Sequence, residues 1–153
     1  MMNGYGWLLL RARPPEEARA LESDPDRRDD RARQENLRLW ADFRAWMEAN
    51  AEPMLRWELT EANNNDHGVL TFSVSRNHRA SAVWEMLDWI AACGPGSYGL
   101  FYVHDDEDAA SNDSYGRAAT DHSNVFRVHR LLRGTLTELD DPFFGPVWPE
   151  TED

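Results

Sequence analysis

The sequence of 153 residues contains no lysine; all sixteen of its basic residues are arginine, as a GC-rich coding sequence would give. It has one cysteine, Cys93, so no internal disulfide can form, which suits a reducing cytosol. No apolar stretch approaches the ~20 residues that a membrane span needs. No basic segment leads into an apolar one, so no secretory signal is visible. There is no phosphate loop and no zinc-ligand spacing. These absences point to a soluble, cytoplasmic chain without cofactors or metal, folded as one domain over residues 1–153. A chain of this length buries roughly 70% of its unfolded surface on folding.

Acid is what the sequence has in excess. Asp and Glu number 28 against 16 Arg, for a net charge of -12. The imbalance lies mainly after residue 60, and no basic residue follows Arg133. Such a surface repels nucleic acid and attracts a basic partner. Seven Trp, six Phe and four Tyr are too many for a disordered acidic chain.

The periodicities give an α+β order. Gly6 to Arg11 reads as a strand covered on both faces, ended by Pro14-Pro15. Residues 16–33 are charged and read as a solvated loop or a frayed helix start. From Gln34 to Asn50, Leu37, Trp40, Phe43 and Met47 recur at helical spacing, with Leu39 and Trp46 widening the stripe. Leu55, Trp57 and Leu59, then Leu70, Phe72 and Val74, alternate with polar residues as an antiparallel hairpin with one wet face. In that reading Trp57 faces the helices and Glu58 the solvent. Ser81 is a plausible N-cap for a helix carrying Val83, Met86, Leu87 and Ile90, which Gly94-Pro95-Gly96 ends. Tyr98–Val103 reads as an interior strand and Asn124–Leu132 as another, turning at Arg133-Gly134 into a short strand around Leu136. The order β-α-β-β-α-β-β fits a split β-α-β layout: a mixed or antiparallel sheet with two helices on one face and the first strand central.

Candidate chemistry centres on His104-Asp105-Asp106-Glu107-Asp108, where an apolar strand gives way to four carboxylates. A metal-assisted hydrolase would use His104, Asp105, Asp106 and Asp108, with Asp113 or His122 closing in, because hard cations want several oxygens. The alternating ligands and turn glycine of a calcium loop are missing. A solvated acidic loop and a contact surface for a basic partner are the competing readings. A second cluster, Glu138, Asp140 and Asp141, precedes Pro142-Phe143-Phe144, and Trp148 is either tucked against the core or offered to a partner. Cys93 lies at a helix end, away from the N-terminal position that stabilises a thiolate. Ser97 follows a helix instead of ending a strand, so it makes no nucleophile elbow. A small-molecule pocket between helices and sheet has no polar signature.

Several blocks together resemble the immunity protein 7 family of bacterial polymorphic toxin systems. They are Tyr5-Gly6-Trp7, Ser97-Tyr98-Gly99-Leu100 running into Asp105–Asp108, Asn124-x-Phe126-x-Val128, Arg133-Gly134-x-Leu136, and Glu138-x-Asp140-Asp141-Pro142-Phe143 with Pro146. The stretch 109–123 is longer than the corresponding family loop, and Gly145 and Val147 replace an expected serine and cysteine. The resemblance implies a non-catalytic protein, encoded beside a toxin, that binds the toxin domain and blocks it inside the producing cell. The partner expected is a cognate toxin domain with a basic surface, met by a monomer or weak dimer. The contact residues expected are Asp105, Asp106, Glu107, Asp108, Glu138, Asp140, Asp141 and Trp148. Carboxylates so densely spaced should be solvated in the free protein, since like charges side by side raise each other's cost.

Overall fold

The structure is a computed structural model that describes residues 1–50, 52–61, 67–77, 80–108 and 120–148. Its elements are β1 (Met2–Leu10), α1 (Pro15–Leu21), α2 (Pro25–Asn50), β2 (Leu55–Glu61), β3 (Gly68–Arg76), α3 (Ser81–Cys93), β4 (Tyr98–Asp105), β5 (Arg127–Leu132) and β6 (Thr135–Asp140). The six strands form one sheet in the order β2-β3-β1-β4-β5-β6, every pair antiparallel. The α+β layout and the central first strand are borne out, the short strand around Leu136 is present as β6, and α1 is one helix more than expected.

The extra helical length has a local cause. The Asp24 carboxylate accepts the backbone N–H groups of Asp26 (3.0 Å) and Arg27 (3.4 Å), while Pro25 opens the helix. This is an N-cap followed by proline at the first helical position. Helix α2 therefore begins nine residues before Gln34. Pro15 opens α1 without a side-chain cap, with Glu16 and Glu17 against its positive end. Helix α3 already includes Ser81, which corrects its reading as the N-cap: Ala80 takes the cap position and no side chain caps the helix.

One face of the sheet carries the core. Leu39, Trp40, Phe43 and Met47 of α2 and Val83, Met86, Leu87 and Ile90 of α3 are buried against Leu8, Leu10, Leu70, Phe72, Val74 and Phe101. Leu37 is an exception: α2 turns it away from the sheet, and it is exposed. Trp57 is half-buried and meets Phe43 edge-on at 5.6 Å, while Glu58 faces solvent. Two polar groups tie the helical layer to the strand ends. The Trp40 indole N–H donates to the Leu10 carbonyl at 3.1 Å, and buried Asn36 accepts the N–H of Ala12 at 2.9 Å. Ser97 is buried too: its hydroxyl accepts the Arg11 N–H at 3.0 Å, an anchoring role.

Among the described residues no helix lies on the other sheet face, which corrects the expectation that β1 is covered on both sides. Tyr5 and Trp7 point outward at 61% and 42% exposure, while Gly6 between them is buried. Strand β4 alternates likewise, with Tyr98 and Tyr102 outward and Phe101 and Val103 inward. A continuous apolar run thus arises here from one buried face and one aromatic open face. At the far edge, Arg133 (φ 53°) and Gly134 (φ 70°) make the two-residue hairpin turn that joins β5 to β6.

Candidate functional site

The antiparallel register brings both acidic segments to one end of the sheet. Asp105 ends β4 opposite Met2, Val103 lies opposite Arg127 at the start of β5, and Arg127 lies opposite Asp140 at the end of β6. Arg127 is the hub. Its Nε donates to Glu138 at 3.0 Å and its Nη1 to Asp140, so one guanidinium serves two carboxylates of the second cluster.

Within the first cluster the carboxylates divide. Asp106 and Glu107 are exposed, and Asp106 pairs with the amino group of Met1. Asp105 and Asp108 are buried, which corrects the expectation that the whole run is solvated. Backbone donors make this possible. Asp105 accepts the N–H of Glu107 at 3.1 Å, a turn that an aspartate makes with its own chain. Asp108 accepts the N–H of His122 at 3.1 Å and lies 3.4 Å from its ring Nδ1. In the second cluster Asp141 is buried and accepts the N–H of Phe144 at 2.8 Å, whereas the Asp140 side chain is 90% exposed. Like-charge repulsion was the correct consideration for Asp106, Glu107 and Asp140. It failed where the loop aims backbone N–H groups at a carboxylate.

This division predicts different stabilities. Asp108→Ala should cost about 1–3 kcal/mol, because it leaves the His122 N–H without its acceptor. Asp106→Ala should change stability by less than about 0.5 kcal/mol, as an exposed pair contributes little. Urea midpoints of the two variants measure this. Equal midpoints would mean that the loop is solvated throughout.

The segment after β6 folds back over the same end. Asn124 holds it with its side chain: Oδ1 accepts the Trp148 N–H at 2.8 Å and Nδ2 donates to the Trp148 carbonyl at 3.0 Å. The backbone adds Phe126 N–H to Phe144 and Val147 N–H to Asn124, so residues 124–126 pair with this segment instead of beginning β5. Rings of His104, Phe126 and Phe144 contact one another in sequence at 5.4 and 5.6 Å, tilted by 35° and 54°. Phe143 and Trp148 remain 78% and 67% exposed. Of the two readings open for Trp148, the exposed one is the arrangement found.

The hydrolase constellation does not converge. His104 projects to the open face and donates from Nε2 to the Ser123 carbonyl at 2.8 Å, while Asp105 projects to the helical face. Asp113 lies outside the described residues. Among the described residues no group of three or more His, Cys, Asp or Glu is placed to hold a metal ion. Partial burial pushes the Cys93 thiol up, and the Asp42 carboxylate adds to the shift, so little of it is thiolate at neutral pH. A cleft of about 240 Å³ between the end of β1, α1 and α2 is lined by Arg11, Arg13, Arg19 and Arg28. It is smaller than the ~300 Å³ at which small-molecule pockets usually begin. No helix among the described residues is long and apolar enough to cross a membrane.

Sequence reasoning missed the outward aromatics Tyr5, Trp7, Tyr98 and Tyr102. The signal was present: glycines at 6 and 99 beside aromatics mark strands whose two faces differ.

Residues 1–153 match the family described as immunity protein 7. No curated protein and no solved structure matches the chain.

Proposed function

The chain belongs to the immunity protein 7 family, and from that premise we propose that it neutralises a cognate toxin domain by binding it directly. The family gives the coarser part, an immunity role against a toxin. The finer reading is a stoichiometric inhibitor without turnover that acts in the cytoplasm of the producing cell and offers an acidic surface to a basic toxin.

One observation supports that surface above the others: two acidic segments distant in sequence meet at one end of the sheet, beside exposed aromatics. Asp106, Glu107 and Asp140 supply exposed carboxylates there, and Trp148 and Phe143 supply exposed rings. Carboxylates with adjacent aromatics suit a partner rich in arginine, which pairs with the former and stacks on the latter. Asp105, Asp108 and Asp141 hold the loops, and Glu138 orients Arg127, so these four shape the surface without meeting the partner head-on.

The test is co-expression with the C-terminal toxin domain encoded by the adjacent gene, followed by titration of the purified pair. Growth should be restored, inhibition should saturate at one chain per toxin, and a complex should co-elute. Protection without a complex, or inhibition saturating far below equimolar amounts, would overturn direct binding and favour an enzyme.

A further inference from the structure

The sheet face on which no described helix lies is broad and aromatic, with Val128 of β5 a buried exception. Its centre is a band along β1 and β4, with Tyr5 stacked on Tyr102 at 5.8 Å and Trp7 edge-on to Tyr98 at 6.5 Å. Leu132 of β5 extends it and is 43% exposed. The inward face explains the fold without these side chains; nothing in the core requires large rings here, where threonine or serine would serve a wet strand as they do on β3.

We propose that this face is the main docking surface for the toxin domain, an inference that rests on the immunity reading above and gives it a location. Three observations select that occupant. First, the band does not stop at the sheet. It continues through the tilted rings of His104, Phe126 and Phe144 to the end where Asp106 is exposed; Asp140 is exposed at the same end but, in register with Arg127 and Val103, on the helical side of the sheet. Aromatic faces leading to carboxylates are complementary to a surface bearing guanidinium groups. Second, a second copy is disfavoured by charge, since each molecule carries a net charge of -12. Third, the size fits. Six strands ~4.8 Å apart and 6–9 residues long span roughly 24 Å by 20–30 Å, of the order of the ~800 Å² that one partner gives to a standard interface. A shallow depression between Tyr5, Trp7, Thr71 and Ser73, edged by Arg56 and Glu58, offers a place for one protruding partner side chain.

The experiment uses the full chain and the toxin domain encoded by the adjacent gene, with affinity measured by calorimetry. Tyr5→Thr/Trp7→Thr keeps residues that favour strands and should weaken binding about 100-fold or more. Thr71→Arg removes no ring, fills the depression, and should weaken binding about as much, which covers the case in which the double variant folds poorly. Affinity within about threefold of wild type for a folded double variant and for Thr71→Arg overturns this proposal while leaving the immunity reading intact. Wild-type chain that neither binds nor protects overturns both. A dimer in sedimentation that the double variant abolishes assigns the face to a second copy and overturns the proposal too.

Discussion

Gly99→Val should abolish cooperative folding or cost at least about 4 kcal/mol, a loss few single substitutions reach. A Cβ at position 99 would stand 2.1 Å from the carbonyl oxygen of Trp7 and 2.8 Å from the Cα of Leu8. Those are backbone atoms of the central strand, held by ladders to β3 and β4, so they cannot step aside. Gly6→Ala should be milder, about 2–3 kcal/mol. Its closest clash, 2.3 Å from the Phe72 ring, can be relieved by tilting the ring at the cost of the Phe72–Phe101 contact at 5.4 Å, and its backbone clash, with the Leu100 carbonyl oxygen at 2.8 Å, is shallower than the 2.1 Å at position 99. Gly134→Asn is the control and should change stability by less than about 1 kcal/mol, because asparagine tolerates φ 70°. Thermal and urea unfolding of the three variants checks the ranking. If valine at 99 is tolerated, β1 and β4 do not approach as closely as the register requires.

The same glycines show where the sequence was legible and where it was not. Helical spacing located Trp40, Phe43 and Met47 correctly because each faces one layer and nothing competes for it. Alternation located Trp57 and Glu58 for the same reason. The start of α2 was left open between loop and frayed helix because residues 25–33 are almost all charged, so hydrophobic spacing says nothing there; the usable signal was Asp24-Pro25, a cap chemistry independent of burial. Strand β1 was taken as covered on both sides because aromatic and aliphatic residues look equally apolar in a row. Gly4 and Gly6, small because Phe101 and Phe72 cross them, distinguish the inward side. At the acidic end the pairing of distant segments was invisible, since it depends on strand register. The burial of Asp105, Asp108 and Asp141 was missed because backbone N–H donors carry no residue type.

Reversing the exposed carboxylates should separate the two parts of the contact kinetically. Asp106→Arg with Asp140→Arg takes the net charge from -12 to -8 and places cations where a basic toxin would approach. Both side chains are exposed, at 51% and 90%, and Arg127 retains Glu138 when Asp140 is changed. Stability should therefore shift by less than about 1 kcal/mol. Association should slow by about 100-fold at low salt, because steering by opposite charge has been replaced by repulsion. The salt dependence should flatten with it, since screening acts over ~8–10 Å and removes what is no longer there. Dissociation should change little. Substitutions in the Tyr5–Trp7 band should do the opposite, raising the off-rate and leaving the on-rate near wild type, as loss of short-range packing does. Stopped-flow association at low and high ionic strength, with surface-plasmon dissociation, resolves the two. If the reversed variant folds, protects cells, and associates at the wild-type rate with the wild-type salt slope, the acidic end is a solvated surface and the toxin is met elsewhere.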